Sequence, residues 1–268
     1  MKHYTPSTGK WHLVLLLLLL LCSVKTAWAD DSGLITRQIT VDVPTAGTLS
    51  NIIQSDKMYK ITNLKITGNL NYDDLAFIRK IAGCYYDSNR HKYDGHLEHL
   101  DLGSVENITF NTNEYVYDEN GYKHCLYRCI IPLAYLYNLK TVVLPKFQGY
   151  FSLTGCRSLT TVEIVGTNCL ENISDEAFKD CSSLTTVNIP STVTSIGQYA
   201  FQGCSSLKNV SIPVNVTSIG QYAFQGCSSL KNVSIPVDVT SIGLYAFWCC
   251  IYNHRTTKTN QKYPSVNL

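Results

Sequence analysis

Several groups of residues in this 268-residue chain have side chains of the types that catalyse reactions or hold metals. His91, His96 and His99 share one short stretch with Asp94, and His124, Cys125 and Cys129 share another. Imidazole and thiolate bind zinc, but a tetrahedral site of that kind joins a paired-cysteine half to a paired-histidine half. Neither cluster contains both halves, so no metal site is expected. Asp118-x-Asn120-Gly121 opens like a calcium loop and lacks the later acidic ligand. Serines are abundant, yet none stands with a histidine at a fixed phase, so a nucleophilic triad has no support. No pair of carboxylates is set apart for acid and base work. Asp73 and Asp74 precede an apolar helical face, where Asp73 is the expected N-cap. Neither an enzyme nor a cofactor is implied.

The cysteines point to architecture instead. Of eleven, Cys181, Cys204, Cys227 and Cys250 fall at one phase of a 23-residue repeat, and Cys156 takes that place one degenerate copy earlier. An exported chain rich in cysteine would ordinarily be read as a disulfide framework. Stacked repeats put equivalent residues ~4.8 Å apart, within disulfide reach. Their Cβ vectors run parallel, however, which is poor disulfide geometry. Free, buried thiols filling an interior are the expectation.

The elements that would position these groups follow from the repeat itself. CSSLKNVSIPVNVTSIGQYAFQG (204–226) and CSSLKNVSIPVDVTSIGLYAFWC (227–249) differ at four positions, and CSSLTTVNIPSTVTSIGQYAFQG (181–203) precedes them. In each copy, Leu184-x-x-Val187-x-Ile189 reads as a short strand closed by Pro190. Val193, Ile196, Ala200, Phe201 and Cys204 then form a second apolar phase, with Gly197 allowing a turn. One such unit cannot close a core, whereas stacking places Leu on Leu and Phe on Phe. The pattern continues backwards through Leu159, Leu139, Leu97 and Ile61, giving seven candidate strands and a short solenoid. Leu75, Phe77, Ile78 and Ile81 lie at helical spacing before Gly83, and a helix there would cover the open end.

Residues 1–29 read as a secretory signal: Lys2 and Lys10, the apolar run Leu13–Leu21, and Ala27-Trp28-Ala29 before Asp30. Lipid attachment at Cys22 is the competing reading, and Leu19-Leu20-Leu21 lacks the small residue it prefers. Loss of Lys2, Lys10 and Lys25 takes the formal charge from +2 to −1. A near-neutral chain without basic clusters gives no footprint for nucleic acid, and no later run is long enough for a transmembrane helix. Asn-x-Ser/Thr sequons at Asn107, Asn172, Asn209, Asn215 and Asn232 arise readily in such repeats.

The stretch IPSTVTSIGQYAFQGCSSL (189–207) resembles the BspA-like, Treponema pallidum-type leucine-rich repeats of bacterial surface proteins. AGTLSNIIQSDKMYKITNLKITGNLNYDDLAFIRKIAG (46–83) is similar to the capping segment of such proteins. The likeness spans roughly 46–250 and is weakest between 103 and 138. It implies a leucine-rich-repeat solenoid of the α/β type: short parallel strands on the concave face, short helical or irregular segments on the convex side, and an N-terminal helical cap. It also implies a secreted or cell-surface location and adhesion to host extracellular-matrix or plasma proteins such as fibronectin and fibrinogen. The resulting division is a signal (1–29), a capping region with degenerate repeats and a tyrosine-rich insertion (30–138), the array (139–250) and an irregular tail (251–268).

On such strands the residues between apolar positions face outwards. One column is His99, Thr141, Thr161, Thr186, Asn209 and Asn232; the other is Asp101, Val143, Glu163, Asn188, Ser211 and Ser234. Thr161, Glu163, Thr186, Asn188, Asn209, Ser211, Asn232 and Ser234 are the candidate partner-binding residues, suited to an extended peptide or a glycan; polarity towards water explains the same pattern without a partner. Ten of the 18 tyrosines lie between 85 and 150, and EYVYDENGYK (114–123) reads as a hairpin turning at Asn120-Gly121. Tyr115, Tyr117 and Tyr122 are the second candidates, as a glycan-binding surface with the repeats as spacer, or as packing for the insertion. After Cys250 the repeat pattern stops, and exposed Phe247 and Trp248 would favour self-association through the last repeat.

Overall fold

A computed structural model describes residues 33–84, 94–109, 115–117, 123–125, 129–146, 150–166 and 170–250. The strands are β1 (Ile39–Val43), β2 (Asn63–Asn71), β3 (His99–Thr109), β4 (Tyr115–Tyr117), β5 (Lys123–Cys125), β6 (Cys129–Pro132), β7 (Thr141–Leu144) and β8 (Tyr150–Ser152). They continue as β9 (Thr161–Ile164), β10 (Asn172–Ile173), β11 (Thr186–Val187), β12 (Ser195–Ile196), β13 (Asn209–Ser211), β14 (Ser218–Ile219), β15 (Asn232–Ser234) and β16 (Ser241–Ile242). Two α-helices, α1 (Leu49–Ile52) and α2 (Tyr72–Ile81), belong to the amino-terminal part.

The seven expected strands are present, and β1 adds an eighth. β1-β2-β3-β7-β9 form one parallel sheet and β11-β13-β15 another. The Thr185 amide donates to the Thr160 carbonyl at 3.4 Å across the junction between them. Register is one repeat per strand: Thr186, Asn209 and Asn232 pair in sequence, as do Val187, Val210 and Val233. Alternation then sends Val187 and Val210 inwards and leaves Thr186 and Asn209 outside.

A second ladder was not anticipated. The Thr-Ser-Ile segments pair as β10-β12-β14-β16, again parallel and in register. Only Ile173, Ile196 and Ile219 in these two-residue strands are buried, so alternation along the sequence is too brief to announce a strand. The stretch after each of them forms a third set of inter-turn bonds. Tyr199, Phe201 and Gly203 amides donate to the carbonyls of Gln221, Ala223 and Gln225 at 3.0, 2.7 and 2.8 Å. Tyr222, Phe224 and Gly226 do the same to Leu244, Ala246 and Trp248.

This third stretch demands unusual backbone. Tyr199, Tyr222 and Tyr245 have φ of 56°, 55° and 56°, and Gly203 and Gly226, four residues on from the first two, have 74° and 73°. The residue before each column cysteine is left-handed even where it is not glycine: Tyr135, Asp180 and Cys249 share that sign of φ. Gly197, Gly220 and Gly243 serve another purpose, and the expected turn freedom is not what they supply. Their φ is ordinary, but a Cβ on Gly220 would lie 2.5 Å from the Gln198 nitrogen of the preceding turn. Backbone here stacks directly on backbone.

The interior is a set of columns. Phe178, Phe201, Phe224 and Phe247 stack with centroids 5.0–5.1 Å apart and planes within 11° of parallel. Phe151 meets Phe178 edge-on at 70°, where the regular repeat begins. Phe247 is only 6% exposed; its expected exposure is corrected by its seat on Phe224.

The helix over 72–81 forms, but its role differs from the expectation. It is the crossover from β2 to β3, while β1 is the terminal strand of the sheet; the helix therefore does not lie over the end of the stack as a cap. Its N-cap is Asn71 rather than Asp73, because Asn71 and Asp74 form a reciprocal capping box. The Asp74 carboxylate is buried, and it also accepts from the amides of Gly47 (2.6 Å) and Leu49 (2.9 Å), so one side chain fixes the start of both helices. Buried Arg79 ties α2 to the first repeat, donating to the carbonyls of Pro132 (3.3 Å) and Ala134 (2.6 Å).

Two glycine substitutions separate space from backbone conformation. Gly220→Ala is expected to lower stability by about 2–3 kcal/mol through overpacking. Gly226→Ala, whose Cβ finds its nearest neighbour at 3.7 Å, is expected to cost about 1 kcal/mol for its left-handed φ. Urea unfolding of both variants, followed by circular dichroism, checks the order.

Candidate functional site

The polar side chains of the repeat divide into two sets by what they touch. One set is used between turns. Thr160, Thr185, Thr194, Thr217 and Thr240 hydroxyls donate to carbonyls of the preceding turn, and Ser182, Ser205 and Ser228 do the same at 3.2–3.3 Å. These hydroxyls are structural staples, which accounts for the serines and threonines without any nucleophile among them.

The other set stands on the strand ribbon. Glu163, Thr186, Asn188, Asn209, Ser211 and Ser234 are exposed and make no side-chain hydrogen bond to any described residue. Thr161, also exposed, approaches only its neighbour Thr160, at 3.5 Å. Asn232 pairs with Asn209 through the backbone in the same column. The amino-terminal part of the ribbon differs, since its side chains satisfy one another. His99 Nδ1 meets the Thr141 hydroxyl at 2.7 Å, Lys65 pairs with Asp101 at 3.0 Å, and Lys140 pairs with Glu98 at 2.8 Å. The structure therefore brings the candidates of 161–234 into one continuous surface and separates them from a self-paired half.

The second candidates are placed only in part. β4 and β5 pair antiparallel, with Tyr117 opposite Lys123 and Tyr115 opposite Cys125, so the hairpin is present. Tyr122 and the Asn120-Gly121 turn lie outside the described residues, as does His91. His96 and His99 point to different partners, the Tyr59 carbonyl and Thr141, and no cluster of three metal-binding side chains occurs among the described residues. Missed by sequence reasoning was an outer aromatic column, Tyr199, Tyr222 and Tyr245, stacked at 5.1 and 5.3 Å beside Trp248. Recurrence at one residue per repeat was the available signal.

The column cysteines are free thiols, as expected. Each Sγ donates to a carbonyl of the turn before: Cys156 to Leu133, Cys181 to Leu153, Cys204 to Phe178, Cys227 to Phe201 and Cys250 to Phe224, at 3.1–3.2 Å. Burial pushes all five up, Cys250 to about 11 and Cys156 to about 12. Thiols held neutral in this way are poor nucleophiles.

Stacked parallel turns, a single continuous core and a strand ribbon define a solenoid repeat protein. Residues 135–263 match the BspA-type leucine-rich repeat region in six copies, and the chain belongs to that family. The match begins downstream of the similarity expected from residue 46 and extends beyond 250. A leucine-rich repeat protein of T. pallidum is 27% identical, covering 53% of this chain and 66% of its own, with a TM-score of 0.40. A leucine-rich repeat protein of Bacteroides ovatus is 20% identical over 80% of this chain and 58% of its own, also at 0.40. A leucine-rich cell surface protein of Faecalibacterium prausnitzii is 17% identical over 73% and 59%, at 0.33. This chain thus spans about two thirds or less of each of these three. No curated protein matches it. Among the described residues no helix is long and apolar enough to cross a membrane.

The thiol arrangement has a measurable signature. Alkylation of the native protein followed by mass spectrometry is expected to label exposed Cys249 and spare Cys181, Cys204 and Cys227 until the chain unfolds. Because the folded values lie above the ordinary 9.0, unfolded thiols ionise first. Stability is then full below about pH 9 and falls as pH rises through about 11 and 12. Thermal midpoints measured across that range check the sign.

Proposed function

We propose that this chain is an exported, non-enzymatic binding protein that docks an extended partner segment along the ribbon of β9, β11, β13 and β15. The observation that carries this reading is the row of exposed, unbonded polar side chains from Glu163 to Ser234. Elsewhere in the same repeats hydroxyls are consumed between turns, whereas here donors and acceptors at a fixed strand spacing are left for an outside group. The backbone beneath is held by ladders on both sides, so the ribbon orders little on binding and the entropic cost falls chiefly on the partner. An adhesive role towards host extracellular-matrix or plasma proteins agrees with the family, and a glycan is the other partner class that such side chains suit.

Nothing in the ribbon offers an acid and base pair, since Glu163 is the only carboxylate in its carboxyl-terminal half. Export follows from the amino-terminal pattern of 1–29, with surface retention or secretion as its outcome.

The test is saturable binding of the purified chain to immobilised fibronectin, fibrinogen and a glycan array. Asn188→Arg, Ser211→Arg and Ser234→Arg together are expected to weaken binding at least tenfold, about 1.4 kcal/mol, with an unchanged melting temperature. Equal binding by a normally folded triple variant removes the ribbon from the reading and leaves 84–138 as the place to look.

A further inference from the structure

The carboxyl-terminal turn ends in a surface with polarised hydrogen-bonding capacity. In each earlier turn three amides of the left-handed stretch donate to the turn that follows. The equivalent groups of the last turn are the amides of Tyr245, Phe247 and Cys249, and none of them donates to a described residue. Acceptors lie on the other stretches. The carbonyls of Ser205, Thr217 and Ile219 accept from the following turn, and their counterparts Ser228, Thr240 and Ile242 have no such donor among the described residues. Donors therefore collect on one stretch of this end and acceptors on the others.

Apolar side chains mark the same end. Val237, Leu244, Tyr245 and Trp248 are 85%, 67%, 42% and 46% exposed, four of the six large hydrophobic residues that stand out in the described structure. The last copy differs from the one before at four places, and three lie on the donor stretch: Leu244 for Gln221, Trp248 for Gln225 and Cys249 for Gly226. In the preceding turns Gln202 and Gln225 bond to each other along the outside. Two large apolar groups replacing glutamines on a terminal turn are the reverse of what contact with water favours.

We propose that this end binds a second copy of the chain, end to end about a two-fold axis. A closed two-fold contact is isologous, so one surface must complement itself. A donor stretch beside acceptor stretches does so: rotation lays the Tyr245, Phe247 and Cys249 amides of one copy over the carbonyls of Thr240 and Ile242 in the other. Leu244 and Trp248 then close over the paired backbone and exclude water. The amino-terminal end, built from β1 and α1, carries no equivalent row, so the contact joins two copies and does not propagate into a filament.

The test uses the full exported chain in sedimentation velocity from micromolar to several hundred micromolar. Wild type is expected to reach a dimer mass. Leu244→Gln with Trp248→Gln restores the residues of the preceding copy, so folding is preserved, and dimerisation is expected to weaken at least tenfold. Amide exchange at Tyr245, Phe247 and Cys249 is expected to slow as concentration rises. A wild type that stays monomeric overturns the proposal, as does a variant that dimerises equally well. Concentration-independent protection of the three amides also overturns it, since the chain's own residues after Cys250 would then cover the end.

Discussion

Each turn of the array touches the next through main-chain atoms on three separate stretches, so turn spacing is set by the length of an amide-to-carbonyl bond. Side chains have to accommodate that spacing. Phenylalanine rings 5.0–5.1 Å apart and nearly coplanar do so, and so do small thiols beneath them. Gly197, Gly220 and Gly243 are required because main chain sits on main chain with no room for a Cβ. The left-handed column at Tyr135, Asp180, Gly203, Gly226 and Cys249 turns the chain from the third stretch back to the cysteine. Its several residue types show that the ladder overrides the local preference for glycine.

The thiols take part in the same accounting. The Phe178 carbonyl receives the Cys181 amide and the Cys204 thiol, so its two lone pairs are satisfied inside an apolar core. Serine has a stronger donor but a smaller apolar surface, and alanine leaves the second lone pair empty. Cysteine suits a position that is both packed and weakly polar. Its recurrence belongs to the interior, and the chemistry suggested by eleven cysteines dissolves into packing.

How far the sequence foretold this depends on the range of each interaction. The ribbon strands, the Leu, Val, Ile, Phe and Cys columns and the outward set from Thr161 to Ser234 follow from periodicity, because identical turns repeat identical neighbours. The Thr-Ser-Ile ladder was hidden, since two residues with one inward isoleucine carry no alternation to read. Asp74 was misjudged in favour of Asp73 because its extra partners, Gly47 and Leu49, lie 25 and more residues away. The helix at 72–81 was recognised by its apolar spacing, but its place between β2 and β3 depends on strand order. Phe247 looked exposed because a terminal residue's cover comes from the turn before it.

The staples between turns also determine how this molecule would yield to a pull. Main-chain bonds run along the solenoid axis, so tension drawn through Cys250 loads the outermost turn before any other. Thr217 and Thr240, or Ser205 and Ser228, are separated by 23 residues, which is the amount of chain that one turn stores. Losing a turn frees roughly 75 Å of extended chain while the turn beneath keeps its own bonds. A tether built this way lengthens in even steps and shortens again by relaying a strand on an existing template.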